Sequence, residues 1–275
     1  MDKYHAYNIP YYIHSDGNIS LAPQGYLSER VVVISSPKSG TYYLAEILKE
    51  FGFVSTNCHL SDLSMTDYRF STIADSVSSY RNLNIDMPLS ESLPLIRGGQ
   101  FAVGHLPPLD NVATLLGDFK KIFLYRECRA SLVSFMRFFR NPGRGEEFGT
   151  EWKGIEDPKD RTYRFMSLYI ANLIQWLNGM TKWRSMDGIF TINYESMMGD
   201  FGEEKRMSTF LSLADFIGLT LDENAIQRAL GCATGRPTKT WSGGRSVVAE
   251  FWDERSESLF NQFGGPEVNR LNGYT

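Results

Sequence analysis

The sequence predicts an α/β fold, a three-layer sandwich with a mostly parallel central sheet and helices on both faces. Two patterns predict it. Four short apolar runs, Val31–Ser35, Phe101–Gly104, Lys121–Tyr125 and Ile189–Asn193, each give way to polar or turn residues, as buried parallel strands do. Segments with helical character, Thr41–Phe51, Asn111–Leu116, Ala130–Phe139 and Arg161–Trp183, alternate with them. Strand–helix alternation of this kind builds βαβ units, and such sheets bind ligands beyond the carboxyl ends of their strands.

The first strand is the sharpest element, because VVVIS passes through Ser36-Pro37-Lys38-Ser39-Gly40 directly into a helix. A turn of that kind aims backbone N–H groups and a helix N-terminus at one point, which suits an anion. Lys38 adds a mobile charge, and Ser39 and Thr41 add hydroxyls. In the last helix, Phe165, Leu168, Tyr169, Leu173, Trp176 and Leu177 recur at helical spacing and read as a core stripe. Ser55–Gly99 lacks periodicity and is rich in Ser, Asn, Asp and Pro, and Asn141–Asp160 is a polar, Gly- and Pro-bearing stretch. Both read as long loops of the lid or specificity kind. With no repeat, low-complexity run or clear linker, residues 1–275 read as a single domain.

Composition narrows the function. A chain of 275 residues with 42% hydrophobic and 13% aromatic content suits a well-packed globular protein. A net charge of −4 argues against a general nucleic-acid binder. Lys120, Lys121, Arg126, Arg129, Arg137, Arg140 and Arg144 still crowd one region, and a solvated helix face would account for most of them. Cys58, Cys128 and Cys232 are too far apart for a disulfide framework or a metal-ligand spacing. Reduced thiols in a cytoplasmic protein that needs no metal are the expectation. The polar, aromatic segment Met1–Pro10 lacks the apolar core of a signal peptide. No run reaches the roughly 20 apolar residues of a bilayer span, so no membrane partner is expected. The sequence sets no oligomeric state.

Three further segments carry chemistry. Arg126 follows the strand Lys121–Tyr125, and Ser134 lies eight residues later, about two helical turns into the next helix. An arginine fork and a hydroxyl there suit a second phosphate; read alone, the pair is better taken as a strand-end arginine and a helical serine. His105 follows Phe101–Gly104 and precedes Leu106-Pro107-Pro108, and the prolines stiffen the chain around the imidazole. A lone histidine is otherwise more often structural, and His5, His14 and His59 lie in less ordered surroundings. Tyr194-Glu195-Ser196-Met197 follows the strand Ile189–Asn193; taken alone, it is a strand-end tyrosine with an acidic helix start.

The order PKSGT is not a Walker loop, since Lys38 precedes Gly40 and the turn has no upstream glycine. It resembles the 5′-phosphosulfate loop of the sulfotransferases that use 3′-phosphoadenosine 5′-phosphosulfate (PAPS). Arg126 and Ser134 resemble that family's 3′-phosphate pair, His105-Leu106-Pro107 its catalytic-base motif, and Tyr194-Glu195-Ser196-Met197 the segment that closes its core. The resemblance spans Val31 to about Arg245 and implies a P-loop-like α/β domain with PAPS as co-substrate and a small-molecule acceptor. It assigns residues 31–54 to the 5′-phosphosulfate loop and helix, 121–140 to the 3′-phosphate segment, and 55–100 and 141–160 to substrate or lid segments.

The resemblance also implies roles. Pro37, Lys38, Ser39, Gly40, Thr41 and Tyr42 would form the donor loop, with Lys38 neutralising the leaving phosphate and His105 acting as base. Tyr43 and Tyr194 would contact the adenine. Ser242, Gly243, Gly244 and Arg245 would complete the 3′-phosphate clamp. The chain departs from the family pattern in four places. Glu127-Cys128 replaces the usual Asn-Pro after the arginine, Val103 stands where a lysine often precedes the histidine, Tyr42 replaces a small hydroxyl residue, and the C-terminal cluster differs in order. A divergent kinase using ATP and a catalytically silent nucleotide-binding module are the competing readings.

Overall fold

The computed structural model describes residues 7, 9–69, 84–141, 148–234, 236 and 248–274. A small antiparallel hairpin, β1 (Tyr12–Ile13) with β2 (Ile19–Ser20), precedes the main sheet. The sheet is built from β3 (Val31–Ser35), β4 (Val54–Leu60), β5 (Met65–Asp67), β6 (Asn84–Ile85), β7 (Gln100–Gly104), β8 (Lys120–Tyr125) and β9 (Ile189–Asn193). Their order is β6-β5-β4-β7-β3-β8-β9. The five strands from β4 to β9 pair in parallel, and β5 and β6 extend the edge antiparallel.

The helices are α1 (Thr41–Glu50), α2 (Leu89–Ser92), α3 (Asp110–Leu115), α4 (Cys128–Arg140), α5 (Pro158–Met180), α6 (Tyr194–Met198), α7 (Glu203–Phe216), α8 (Glu223–Ala233), α9 (Val248–Phe251), α10 (Glu254–Gln262) and α11 (Gly265–Leu271). The α/β expectation holds, and the four expected strands stand within one residue of their predicted bounds. Strand β3 explains why: Val31 and Val33 feed one core, with Leu44, Ile47 and Leu48 of α1, while Val32 and Ile34 feed the other, with Leu93, Leu95 and Trp183. A strand buried on both faces must be apolar throughout. A third core joins Leu132, Phe135 and Met136 of α4 to Phe165, Leu173 and Leu177 of α5 and Phe260 of α10.

Three expectations are corrected. Ser55–Gly99 is not simply a loop, because residues 54–60 run beside β7 inside the sheet and 65–67 pair with them. The buried positions of β4, Thr56, Cys58 and Leu60, alternate with Asn57 and His59, but two of the three are not aliphatic, so the segment shows no apolar run. A register shift between Ser55 and His59, with Asn57 in the left-handed region (φ 52°), interrupts its pairing with β7. In α5, Phe165, Leu173 and Leu177 are buried, but Leu168 and Trp176 are exposed. Their stripe is wider than the face that α4 covers. Finally, Asn141–Asp160 holds structure of its own where it is described: Trp152 is fully buried, its indole donates to Phe148 O at 2.8 Å, and Asp157-Pro158 begins α5. The Asp157 side chain accepts from the N–H groups of Lys159 and Asp160, so α5 starts three residues before Arg161. Similarly, Glu127 caps α4 through the Ala130 N–H, and that helix begins at Cys128.

The chain runs from β3 to β4 on one side, returns through β7, and from there crosses β3 to β8 on the other, so the carboxyl end of β3 lies at the switch in strand order. At the same edge, Gly104 ends β7 with no space for a side chain: a Cβ there would meet Leu60 O at 2.5 Å. Gly104→Ala is therefore expected to part β4 from β7 and cost about 1–3 kcal/mol in urea denaturation. An unchanged midpoint and slope would show that β4 yields without loss.

Candidate active site

The loop between β3 and α1 is shaped by two left-handed residues, Lys38 (φ 66°) and Gly40 (φ 95°). Ser39 between them is fully buried, and its hydroxyl donates to Ser36 O at 2.5 Å and Leu124 O at 3.2 Å, fastening the turn to β8. Thr41 Oγ1 lies 2.8 Å from Ser35 Oγ. The two small hydroxyls expected at an anion thus also hold the loop together. The N–H groups of Thr41 and Tyr42 open α1 ahead of its first intrahelical donors, which is where a helix receives an anion. Gly40 is closely covered: a Cβ would lie 2.9 Å from Met197 Cε and from Tyr194 Cδ2.

Two cations converge on this loop. Lys38 Nζ sits 3.9 Å from the centre of the Phe138 ring of α4. Arg126, buried just beyond β8, stacks its guanidinium 4.0 Å from the Tyr194 ring and donates to Lys38 O at 3.4 Å. Ser134 is buried on α4. Lys38, Gly40, Arg126 and Tyr194, distant in sequence, therefore meet at the carboxyl ends of β3, β8 and β9. Arg129, from the same basic region, is instead spent on Glu127 and Glu257.

A set of contacts that sequence reading missed braces Arg126 and Tyr194 from behind. The Glu127 N–H donates to Glu195 Oε1 at 3.3 Å, and the Tyr274 hydroxyl donates to Glu195 Oε2. Asn269 takes the Cys128 N–H at 2.8 Å and gives its amide to Glu127 Oε1 at 2.7 Å. Burial and the Glu195 carboxylate push the Tyr274 phenol far up, so it remains a donor. Glu127-Cys128, the departure from the family dipeptide, was the available signal, since an acid one residue after a buried arginine needs donors.

His105 stands at the end of β7, on the opposite side of β3 from Arg126. Its Nδ1 lies 2.8 Å from Ser35 O and 3.2 Å from Ser35 Oγ. Burial lowers its pKa to about 4; the Ser35 carbonyl opposes the shift and the Lys38 charge adds to it. The ring is therefore neutral at pH 7, with its proton on Nδ1 toward the carbonyl and a lone pair on Nε2. Trp183 Nε1 donates to Leu106 O at 2.8 Å and fixes the following segment.

The expectation for His59 is corrected. It stands on β4 opposite Val103, and its ring centre is 4.5 Å from that of His105. The Tyr42 hydroxyl is 3.1 Å from His59 Nδ1, so this loop residue reaches toward the second histidine. His14 is likewise ordered in its hairpin, with Nε2 at 2.6 Å from Ser20 Oγ. Tyr43 accepts from Arg206 Nη2 at 3.0 Å and lies 3.4 Å from Thr234 Oγ1. Trp176, off the core, approaches His105 edge to face at 5.7 Å. His5, Arg144 and the group Ser242, Gly243, Gly244 and Arg245 lie outside the described residues. Among the described residues no cluster of three His, Cys, Asp or Glu could hold a metal ion, and no helix is long and apolar enough to cross a membrane.

Comparison with known proteins agrees with this geometry. The model of the sulfotransferase domain family matches residues 28–240. None of the curated proteins matches. Among solved structures, mouse sulfotransferase SULT7A1 complexed with PAP is similar at a TM-score of 0.55 and 13% identity, covering 90% of this chain and 89% of that one. Retinol dehydratase in a complex with retinol and PAP is similar at a TM-score of 0.50 and 15% identity, covering 94% and 91%. At these identities the likeness is one of fold. The family match covers residues 28–240, most of the chain: the protein belongs to the sulfotransferase domain family.

Proposed function

We propose that the protein transfers a sulfuryl group from PAPS to a hydroxyl or amine of a small-molecule acceptor, releasing 3′,5′-diphosphoadenosine (PAP). One observation carries the reading: a neutral imidazole, His105, and a cationic loop, Lys38 with Gly40, flank the carboxyl end of the same strand. The residues present fit such a donor. The left-handed turn and the start of α1 offer amides to a 5′-phosphosulfate. Arg126 with Ser134 suits the 3′-phosphate, and Arg245 with Ser242, Gly243 and Gly244 belongs to the same clamp in this reading. Tyr43 and Tyr194 supply aromatic surface for a base. Pro37 stiffens the loop.

PAPS supplies an activated sulfuryl group and PAP as its leaving group. His105 Nε2 takes the proton of the acceptor as that atom attacks sulfur. The Nδ1 hydrogen bond to Ser35 O holds the tautomer that makes Nε2 basic, and the carbonyl then stabilises the imidazolium. Lys38 disfavours that imidazolium in the free protein, and an anion bound beside Lys38 relieves the penalty. Lys38 and the loop amides stabilise charge that develops on the departing phosphate. Holding the donor at both phosphates is worth up to about 7–11 kcal/mol of positioning.

An ATP-dependent kinase is less favoured, because the loop lysine precedes rather than follows its glycine. A silent binding module would not need both Lys38 and a neutral His105. An apolar acceptor agrees with Trp176 beside His105 and with Tyr68 packed against Tyr42. The cytoplasm is the compartment we assign, in keeping with Cys58, Cys128 and Cys232 as thiols.

An acceptor screen with PAPS, read by mass spectrometry, is expected to give products carrying one added sulfate; transfer from ATP instead would overturn the reading. His105→Ala is expected to cut kcat by about 10²–10⁴-fold while the PAP dissociation constant by calorimetry stays within about threefold. Retained turnover would remove His105 as the base. Lys38→Ala is expected to lower kcat by roughly 10²–10³-fold, and survival of activity would remove the leaving-group role. The pH profile follows from His105. A folded pKa of about 4, below the ordinary 6.5, keeps kcat/KM for PAPS level from pH 7 to about 5 and bends it near 4. A bend near 6.5 would mean that the ring is hydrated like free imidazole. Between those two pH values the unfolded chain binds the proton first, so the contribution of His105 to stability is complete above about 6.5 and is lost as pH falls toward 4.

A further inference from the structure

His59 is the one imidazole beside His105 among the described residues, and the family motifs assign it nothing. It reaches the site through an irregularity. Cys58 and Leu60 point into the core and His59 lies on the other face, and the register shift between Ser55 and His59, with the left-handed Asn57, advances β4 by two residues along β7. There it is the partner of Val103, two residues before His105. The two rings meet at 4.5 Å between centres with 65° between planes. Such an edge-to-face pair fixes ring rotation. The other side of the contact is anchored in turn. Tyr42 is the second residue of α1, directly after the Lys38–Gly40 turn, and its hydroxyl holds His59 Nδ1 at 3.1 Å. A chain of contacts thus runs from the donor loop through Tyr42 and His59 to His105.

We infer that His59, anchored by Tyr42, is a positioning residue for His105: its ring fixes the rotation that keeps Nδ1 on the Ser35 carbonyl and turns Nε2 toward the acceptor. The base is thereby aligned from the helix that carries the donor loop. Val103 has no polar side-chain atom with which to orient the histidine, and His59 does this from the neighbouring strand. A tyrosine at position 42 has the length to cross from α1 to β4, which a threonine or serine lacks. This inference rests on the reading of His105 as the base.

The test compares His59→Ala, His59→Phe, Tyr42→Phe and His105→Ala in the full chain, by steady-state kinetics with PAPS and by PAP calorimetry. His59→Ala is expected to lower kcat by about 10- to 100-fold with KM for PAPS and PAP affinity within about twofold. His59→Phe keeps an aromatic ring against His105 and is expected to recover most of that loss. Tyr42→Phe is expected to lower kcat by roughly threefold to tenfold, and adding it to His59→Ala is expected to cost nothing more, because the two act through one contact. Long-range ¹⁵N–¹H spectra of His105 are expected to report the Nδ1–H tautomer in the parent and a tautomer mixture in Tyr42→Phe and His59→Ala.

An unchanged kcat in His59→Ala overturns the inference, and so does a fall in PAP affinity that matches the fall in kcat. A His59→Phe variant as slow as His59→Ala with a raised KM for the acceptor also overturns it, by making His59 an acceptor ligand. Should His59→Ala not fold, Tyr42→Phe decides by the same kinetics and spectra, and an unaltered His105 tautomer there overturns the inference. If His105→Ala itself turns over, the base assignment fails; if it is inactive while His59→Ala is unaffected, only the positioning role fails.

Discussion

The carbonyl and hydroxyl of Ser35 set the geometry on which the rest of the site depends. Ser35 is the last residue of the central strand, and its backbone oxygen receives His105 Nδ1 while its hydroxyl meets Thr41 at the start of α1. One residue therefore fixes the tautomer of the imidazole and seats the helix whose N-terminus faces the donor loop. It can do so only because β3 is held on both sides, by β7 and β8, and is buried on both faces. A shift of β3 along either neighbour would move imidazole and loop by different amounts. The parallel core is thus a positioning device as much as a source of stability.

Charge is distributed unevenly around that frame. The chain carries a net −4, yet Lys38 and Arg126 converge where an anion would bind, and the surrounding acids are turned elsewhere. Glu127, adjacent to Arg126, is occupied by the Ala130 N–H, Asn269 and Arg129. Glu195 is occupied by Tyr274 and the Glu127 N–H. Carboxylates whose oxygens are saturated by donors project less negative potential into a neighbouring site. The replacement of a neutral dipeptide by Glu127-Cys128 is compatible with anion binding for this reason.

The parts of the fold that could be read from sequence are those whose physics is local. Strands β3, β7, β8 and β9 are short apolar runs because each is flanked on both sides within the sheet or by helices, and each ends where a polar turn begins. Strand β4 escaped because its buried face is Thr56, Cys58 and Leu60 rather than an apolar run, and α5 was read with too wide a stripe because Trp176 leaves the core to meet His105. Of the candidate site, Arg126, His105 and Tyr194 were legible since each sits directly after a strand, and Lys38 because it stands in the short turn between β3 and α1. His59 was not: what makes it part of the site is a tyrosine 17 residues earlier and an imidazole on a strand that neighbours it only in space. The braces from Asn269 and Tyr274 were invisible for the same reason, as a helix packed against α4 and α5 leaves no periodic trace at the segment it supports.

That bracing bears on the order in which the molecule can be assembled. Asn269 joins Glu127 across 142 residues, and Tyr274 joins Glu195 across 79. A chain emerging from the ribosome carries β3, β7 and β8 within its first 125 residues, but the backing of Arg126 waits for α11 to arrive. Until then Glu127 and Cys128 lack their distant donors and acceptors, and the segment is left to water or to chaperones. Loop closures of this length are slow compared with local helix and hairpin formation. The contacts behind Arg126 therefore depend on the last residues of the chain to be made.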